Sequence, residues 1–102
     1  MSSRILEGKM ICVIGASGKF GALASEAIVK FGGRVVAIVR SRKKYDNIVS
    51  QEVLANSDIL ECDCFDEDQL SSLYLNLAKF NIDGMINCLS YRPMTKFFDD
   101  DI

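Results

Sequence analysis

The stretch CVIGASGKFG, residues 12–21, decides the fold because it places Gly15, Gly18 and Gly21 directly after an apolar run. That run, MICVIG at residues 10–15, predicts a strand that is buried on both faces. Apolar residues then recur at the spacing of an amphipathic helix, at Phe20, Leu23, Ala24, Ala27, Ile28 and Phe31. Glycine in a regular element costs roughly 0.5–1 kcal/mol relative to alanine. Three glycines between a strand and a helix therefore indicate a backbone that must approach another group closely.

The rest of the chain alternates between the same two kinds of element. Further apolar runs predict strands at residues 34–40, 58–62 and 84–90, and helical spacing predicts a weaker helix at residues 45–55. A last helix begins after Asp66, which is a candidate cap with Gln69 as its capping-box partner. Its predicted buried face comprises Leu70, Leu73, Tyr74 and Leu77. This alternation predicts an α/β fold, a parallel sheet in the strand order 3-2-1-4 with helices on both faces.

Composition limits the possible function classes. The chain has 102 residues, 49% of them hydrophobic and 25% charged, which is typical of one globular domain over residues 1–102. This domain is either complete or the N-terminal part of a longer protein. Twelve basic and 14 acidic residues give a net charge of −2, which argues against nucleic acid as a partner. No run approaches the roughly 20 apolar residues of a membrane span, and the first residues do not resemble a secretory signal.

The cysteines do not form a metal-binding pattern. Among the four, only Cys62 and Cys64 are close in sequence, and the chain has no histidine to complete a Cys/His set. We therefore predict no metal site. The cysteines are interpreted as reduced and mostly structural, which suits a reducing compartment, either the cytoplasm or an organellar stroma or matrix.

The three glycines have the spacing of a phosphate-binding loop, G-x-x-G-x-x-G. Backbone N–H groups and the helix dipole converge on an anion at a strand-to-helix turn. Gly15 would allow the tight turn, Gly18 would leave room for a pyrophosphate, and Gly21 would let the helix pack against the strand. The alternative is a glycine-rich turn with no ligand.

The end of the second strand bears on cofactor choice. Proteins that bind NAD in this layout usually carry an acid there, which holds the ribose 2′-hydroxyl. This chain has Arg40, followed by Ser41, Arg42, Lys43 and Lys44. The guanidinium group of an arginine can bind a 2′-phosphate through two hydrogen bonds, so the sequence predicts NADP(H) in preference to NAD(H). A solvated basic turn is the alternative. Asp63, after the third strand, would accept a hydrogen bond from the adenine amine.

The motifs ICVIGASGKFG, RVVAIVR, the turn at Asp63 and DGMINCLSYR together resemble a known family. They are similar to the N-terminal half of extended or atypical short-chain dehydrogenases/reductases, over about residues 9–92. Within that superfamily, INCLSYR is most similar to the divinyl chlorophyllide 8-vinyl reductase-like and NmrA-like branches. The motifs T-G-x-x-x-G-x-G and N-A-G of typical members are absent. The resemblance implies a Rossmann-like sheet that is incomplete relative to the full family fold.

The resemblance also implies positions for a nicotinamide dinucleotide. It places Arg40 at the 2′-phosphate, and Asp63 and Cys64 at the adenine. The phosphates would be surrounded by Gly15, Ser17, Gly18, Lys19, Phe20 and Gly21. The ribose on the nicotinamide side would pass beside Leu89, Ser90 and Tyr91.

No catalytic residue is predicted. Reductases of this family commonly use a tyrosine and a lysine four residues apart, but Tyr45, Tyr74 and Tyr91 all lack that lysine. We interpret Tyr74 as a core residue. Histidine is absent, so no general base of that kind is available.

The predicted strand order leaves the outer edge of the fourth strand unpaired, which proteins usually avoid. Either a missing C-terminal half or another protein chain would then lie along it. Two functions remain open: the cofactor half of an NADP(H)-dependent reductase, inactive alone, or a non-catalytic structural or accessory subunit of a larger assembly. Fold does not choose between them.

Overall fold

The computed structural model describes residues 4–89, which contain four strands and four helices. The strands are β1 (Met10–Ile14), β2 (Arg34–Val39), β3 (Ser57–Glu61) and β4 (Gly84–Asn87). The helices are α1 (Lys19–Lys30), α2 (Arg42–Ile48), α3 (Gln51–Ala55) and α4 (Glu67–Leu77). Within this part of the chain, no helix has the length and apolar character needed to cross a membrane.

The strands form one parallel sheet in the order β3-β2-β1-β4, which confirms the predicted topology. The central strand β1 pairs on both sides, with Val13 opposite Ala37 of β2 and Ile86 of β4. Because all strands are parallel, their carboxyl ends meet at one edge of the sheet. The residues that follow each strand are therefore brought together there.

A core lies on each face of the sheet, as the two-sided apolar strands predict. The first core contains Val13, Val35 and Ala37 from the sheet, covered by residues of α1, α2 and α3. The second contains Cys12, Val36 and Ile38, covered by Leu73 of α4. Alternate residues of β1 and β2 thus point into different cores.

The predicted helix at residues 45–55 is two short helices, α2 and α3, because Ser50 interrupts it. The backbone N–H of Ser50 donates to Oε2 of Glu26 at 2.8 Å, and its hydroxyl donates to Oε1 of the same residue at 3.1 Å. The Ser50 hydroxyl also caps α3 by accepting from the N–H of Val53. A contact with α1, distant in sequence, therefore sets this break.

Three apolar residues assigned to helix core faces are exposed instead. Phe20 is 73% exposed, Leu23 60% and Tyr74 66%, so the interpretation of Tyr74 as a core residue was wrong. On α1 the buried face runs through Gly21 and Ser25, because the helix approaches the backbone of the glycine loop too closely for large side chains. On α4 it is Leu73 that points into the core, and Tyr74 is turned about 100° away from it.

Strand β4 lies at an edge of the sheet. Among residues 4–89 its only strand partner is β1, so its outer edge is unpaired. Two of its apolar side chains are open to solvent, Met85 at 56% exposure and Ile86 at 38%. Both faces of this strand are thus apolar and only partly covered.

Candidate functional site

A cleft of about 550 Å³ opens at the carboxyl edge of the sheet. It is bounded by the glycine loop after β1, the basic turn after β2, the acidic turn after β3 and the residues after β4. Its lining consists of Gly15, Ser17, Gly18, Ile38, Arg40, Ser41, Lys44, Cys62, Asp63, Cys64, Phe65, Cys88 and Leu89. The four strand ends thus contribute to one site.

Gly15 is required by the fold itself. Its φ of +79° is favourable only for glycine, and a Cβ there would lie 3.1 Å from the backbone carbon of Cys88. The N–H groups of Gly15 and Ala16 both donate to the carbonyl oxygen of Ile38, at 2.9 and 3.0 Å. These bonds fix the start of the loop against the end of β2.

Gly21 and Gly18 differ in what they allow. A Cβ on Gly21 would lie 2.2 Å from the carbonyl oxygen of Gly15 and 2.6 Å from the Cα of Ala16, so Gly21 is needed for α1 to pack on the loop. A Cβ on Gly18 would meet only the Gly15 oxygen, at 3.4 Å, which is ordinary contact. Gly18 also has an ordinary extended backbone, with φ −84° and ψ 173°. Packing therefore accounts for Gly21 and does not account for Gly18.

The N-terminus of α1 offers free donors beside the cleft. Gly18 is the N-cap of this helix and has no side chain to accept a hydrogen bond from the first turn. The N–H groups of Lys19, Phe20 and Gly21 have no acceptor within residues 4–89. Ser17, only 7% exposed, lines the cleft, and its hydroxyl makes no hydrogen bond in that same part of the chain. Such uncapped donors and the helix dipole favour an anion.

Two basic side chains also line the cleft. Arg40 follows β2, is exposed, and forms no ion pair with any carboxylate of residues 4–89. Lys44 lines the cleft from α2, whereas Lys43 does not. Ser41 begins α2 by accepting a hydrogen bond from the N–H of Lys44 at 3.2 Å, and this cap fixes where Lys44 lies.

The acidic turn after β3 is held by several hydrogen bonds. The N–H of Asp63 donates to Oε1 of Gln69 at 2.8 Å, and Oδ1 of Asp63 accepts from the N–H of Phe65 at 3.1 Å. Asp66 caps α4 as predicted, accepting from the N–H groups of Asp68 and Gln69. The reciprocal bond of a capping box is not formed, because Oε1 of Gln69 accepts from the N–H of Asp63 and the N–H of Asp66 donates to the carbonyl oxygen of Asp63. Nε2 of Gln69 instead donates to Oδ2 of Asp66 at 3.5 Å. The turn therefore presents Asp63 in a fixed position.

Most of the predicted site residues meet in the cleft. Its lining includes the predicted residues Gly15, Ser17, Gly18, Arg40, Asp63, Cys64 and Leu89. The lining does not include three other predicted site residues, Lys19, Phe20 and Gly21. Ser90 and Tyr91 lie outside the described residues.

Sequence reasoning missed Ile38, Phe65, Cys62 and Cys88 in the lining. Cys62 and Cys88 are the first residues after β3 and β4. The rule that the carboxyl ends of parallel strands share one edge could have identified both.

Comparison with solved structures shows which proteins share this fold. Citronellol catabolism dehydrogenase from Pseudomonas aeruginosa PAO1 superposes with a TM-score of 0.72 and 22% identity, over 85% of this chain. A short-chain type dehydrogenase/reductase from Mycobacterium marinum superposes with a TM-score of 0.68 and 20% identity, over 92% of this chain. Hydroxysteroid dehydrogenase from Escherichia coli superposes with a TM-score of 0.64 and 23% identity, over 92% of this chain. No family model and no curated protein matches the sequence.

The likeness shows that the chain has the Rossmann-like fold of short-chain dehydrogenases/reductases. The matched region spans 38% of the Pseudomonas protein, 43% of the Mycobacterium protein and 45% of the Escherichia protein. The chain is thus incomplete relative to the fold of these proteins. Because these identities are all below 25%, the comparison shows a similar fold and does not show a shared activity.

Proposed function

We propose that this chain binds NADP(H) in the cleft, as the cofactor half of a short-chain dehydrogenase/reductase-type oxidoreductase. NADP(H) would supply hydride chemistry to such an enzyme. The residues of this chain would bind and orient the dinucleotide. In keeping with the sequence resemblance, we assign it to the divinyl chlorophyllide 8-vinyl reductase-like or NmrA-like branch, acting in a reducing compartment.

The observation that carries the proposal is Gly18. Neither its backbone conformation nor its neighbours require glycine, yet it stands at the N-cap of α1, where a capping serine or aspartate would stabilise the helix. A missing side chain at that position leaves space for a pyrophosphate beside the uncapped N–H groups of the first turn. The free N–H groups and the absence of a side chain at Gly18 support a pyrophosphate at this place.

The basic side of the cleft supports NADP(H) over NAD(H). Arg40 and Lys44 line it, and no carboxylate of residues 4–89 pairs with Arg40. The nearby Glu61 accepts from the backbone N–H of Arg42 at 3.0 Å and is not among the lining residues. An unpaired guanidinium suits a 2′-phosphate, and Asp63 in the same cleft suits the adenine amine.

We propose further that the chain is not catalytic by itself. Tyr45 is fully buried, and its hydroxyl is bonded to Oγ of Ser57 at 3.1 Å in the core under α2, outside the cleft. Tyr74 is an exposed residue of α4 that does not line the cleft. Neither can supply a proton to a substrate there. Catalytic residues would then come from the remainder of a longer protein or from a partner.

That remainder or partner would lie along β4. The unpaired edge and the partly exposed Met85 and Ile86 support this placement, because an apolar edge strand is a site of further strand pairing. The match to less than half of each compared structure supports it as well.

Three single variants test the cofactor proposal by titration with NADPH and NADH. A charge-assisted hydrogen bond contributes about 1.5–3 kcal/mol, and a tenfold change in affinity is about 1.4 kcal/mol. Arg40→Ala should therefore weaken NADPH binding roughly ten- to a hundredfold and leave NADH binding nearly unchanged. Lys44→Ala should have a smaller effect of the same sign, because a flexible ammonium is more strongly screened.

Lys43→Ala is the matched control, since Lys43 precedes Lys44, carries the same charge and does not line the cleft. It should change neither affinity by more than about twofold, the size expected of a screened surface charge. Equal loss of NADPH binding in Lys43→Ala and Arg40→Ala would show a general charge effect and contradict the assigned 2′-phosphate site.

A further inference from the structure

Three of the four cysteines meet on the face of the sheet that α4 covers. Cys12 and Cys62 are buried members of the core on that face, and Cys64 packs against the same core. Cys88 packs against the core on the opposite face. Within residues 4–89, no three Cys, Asp or Glu side chains are grouped so as to hold a metal ion. The cluster is therefore a group of free thiols.

Cys62 and Cys64 differ from Cys12 in that they also line the cleft. Both also lie at the core under α4, to which Cys62 belongs and against which Cys64 packs. Burial, the larger cause, and the charge and hydrogen bond of Cys64 raise the pKa of Cys62 to about 11, with smaller contributions from Asp63 and Asp66. Cys62 is buried and Cys64 half-buried. An accessible thiol thus stands beside a second thiol placed behind it, the arrangement of an attacking and a resolving cysteine.

Backbone hydrogen bonds order the chain on both sides of the pair. The N–H of Cys62 donates to the carbonyl oxygen of Val39 at 2.8 Å, and the N–H of Asp66 donates to that of Asp63 at 3.0 Å. A disulfide requires Cα atoms about 4.4–6.8 Å apart. Residues two apart in a chain can reach that separation, since each step spans about 3.8 Å.

We propose that Cys62 and Cys64 are a redox-active pair that closes into an intrachain disulfide in the wall of the cleft by exchange with a small disulfide of the glutathione class. The Cys64 thiolate attacks one sulfur of that disulfide, forms a mixed disulfide and releases one thiol. The Cys62 thiolate then attacks the Cys64 sulfur and releases the second thiol. The protein loses two electrons and two protons, and the small disulfide gains them.

Asp63 lies between the two cysteines, so we expect closure of this ring to shift its backbone from the position that it has in the reduced chain. Oxidation should therefore lower the affinity of the cleft for NADPH, a consequence that rests on the proposed function. The disulfide itself does not. The second step should accelerate about tenfold for each pH unit between pH 7 and 9, because Cys62 reacts as a thiolate and is largely protonated below its pKa.

The test uses the full chain, oxidised glutathione and mass spectrometry. The chain is incubated at about pH 8.5, where exchange is fast, quenched with acid and digested with trypsin. The peptide of residues 45–79 contains Cys62 and Cys64 and no other cysteine. We expect this peptide to lose two hydrogen masses and to regain them after reduction. Cys88→Ser should behave in the same way, because its thiol lies on the other face.

Cys62→Ser should retain one glutathione on Cys64, and Cys64→Ser should form no disulfide in this peptide. A wild-type peptide that carries glutathione without losing hydrogen, or a cross-link from Cys64 to Cys12 or Cys88, would overturn the pairing. Equal NADPH affinity of the oxidised and reduced chains would overturn the effect on the cleft. An oxidised chain with the disulfide and no NADPH binding in either state would uphold the pair and refute the proposed function.

Discussion

The glycine loop allows the requirements of the fold to be separated from those of the ligand. Gly18→Ala and Gly21→Ala add the same methyl group three residues apart. At Gly21 the new carbon would lie 2.2 Å from the Gly15 oxygen and 2.6 Å from the Ala16 Cα, and backbone atoms cannot rotate away. At Gly18 its only neighbour would be the Gly15 oxygen at 3.4 Å. The two substitutions should therefore act on different properties.

Gly21→Ala should destabilise the protein strongly. Overpacking costs typically 1–3 kcal/mol, and contact with backbone places this site at about 3 kcal/mol or more. Because 1 kcal/mol shifts the Tm of a domain this size by about 4–8 °C, the expected fall is about 12–24 °C. At Gly18, alanine is a poorer N-cap than glycine, which lowers stability, but it makes the unfolded chain less flexible, which raises stability. The Tm should therefore change by no more than about 4 °C.

Gly18→Ala should instead weaken NADPH binding at least tenfold, which corresponds to about 1.4 kcal/mol. The added methyl group occupies the space that we assign to the pyrophosphate. Thermal unfolding followed by circular dichroism gives the Tm, and fluorescence titration with NADPH gives the affinity. A Gly18→Ala protein that binds NADPH like the wild type would refute the role of this glycine. A Gly21→Ala protein with wild-type Tm would refute the packing account.

Three further predictions concern the core, the chemistry and the sheet edge. Tyr45→Phe should cost about 1 kcal/mol in the free energy of unfolding, measured with urea, and should leave NADPH affinity unchanged, since the Tyr45 hydroxyl bonds Ser57 outside the cleft. The 102-residue chain alone should not oxidise NADPH with any carbonyl or vinyl substrate, so absorbance at the NADPH band should stay constant; steady oxidation would contradict this. Sedimentation at micromolar concentration should show that the chain associates through β4. Met85→Lys should reduce this association without lowering the Tm. A strictly monomeric wild-type chain would contradict a contact at this edge.

The sheet could be predicted from the sequence because local signals determine it. The runs around Val13 and Val36 are apolar at every position, which suits strands covered on both faces, and glycines mark the turns between elements. Parallel strands joined by helices leave few topologies. The positions after each strand then predict the cleft, including Arg40 and Asp63.

The features that sequence reasoning missed depend on contacts between distant residues. Ser50 breaks a helix because Glu26 of α1 bonds it. The amide oxygen of Gln69 accepts from the N–H of Asp63 and not from the N–H of its cap residue Asp66. Leu23 is exposed because Gly21 sets how closely α1 packs, and hydrophobic periodicity carries no information on that distance.

The most direct test of the central claim is titration of the unmodified, reduced chain with NADPH and with NADH under the same salt conditions. We predict saturable binding of both dinucleotides at one site. NADPH should bind roughly ten- to a hundredfold more tightly, because Arg40 contributes one charge-assisted contact of about 1.5–3 kcal/mol to the 2′-phosphate. Equal affinities would contradict the role of Arg40. No binding of either dinucleotide would contradict the cofactor site itself and favour a structural or accessory subunit.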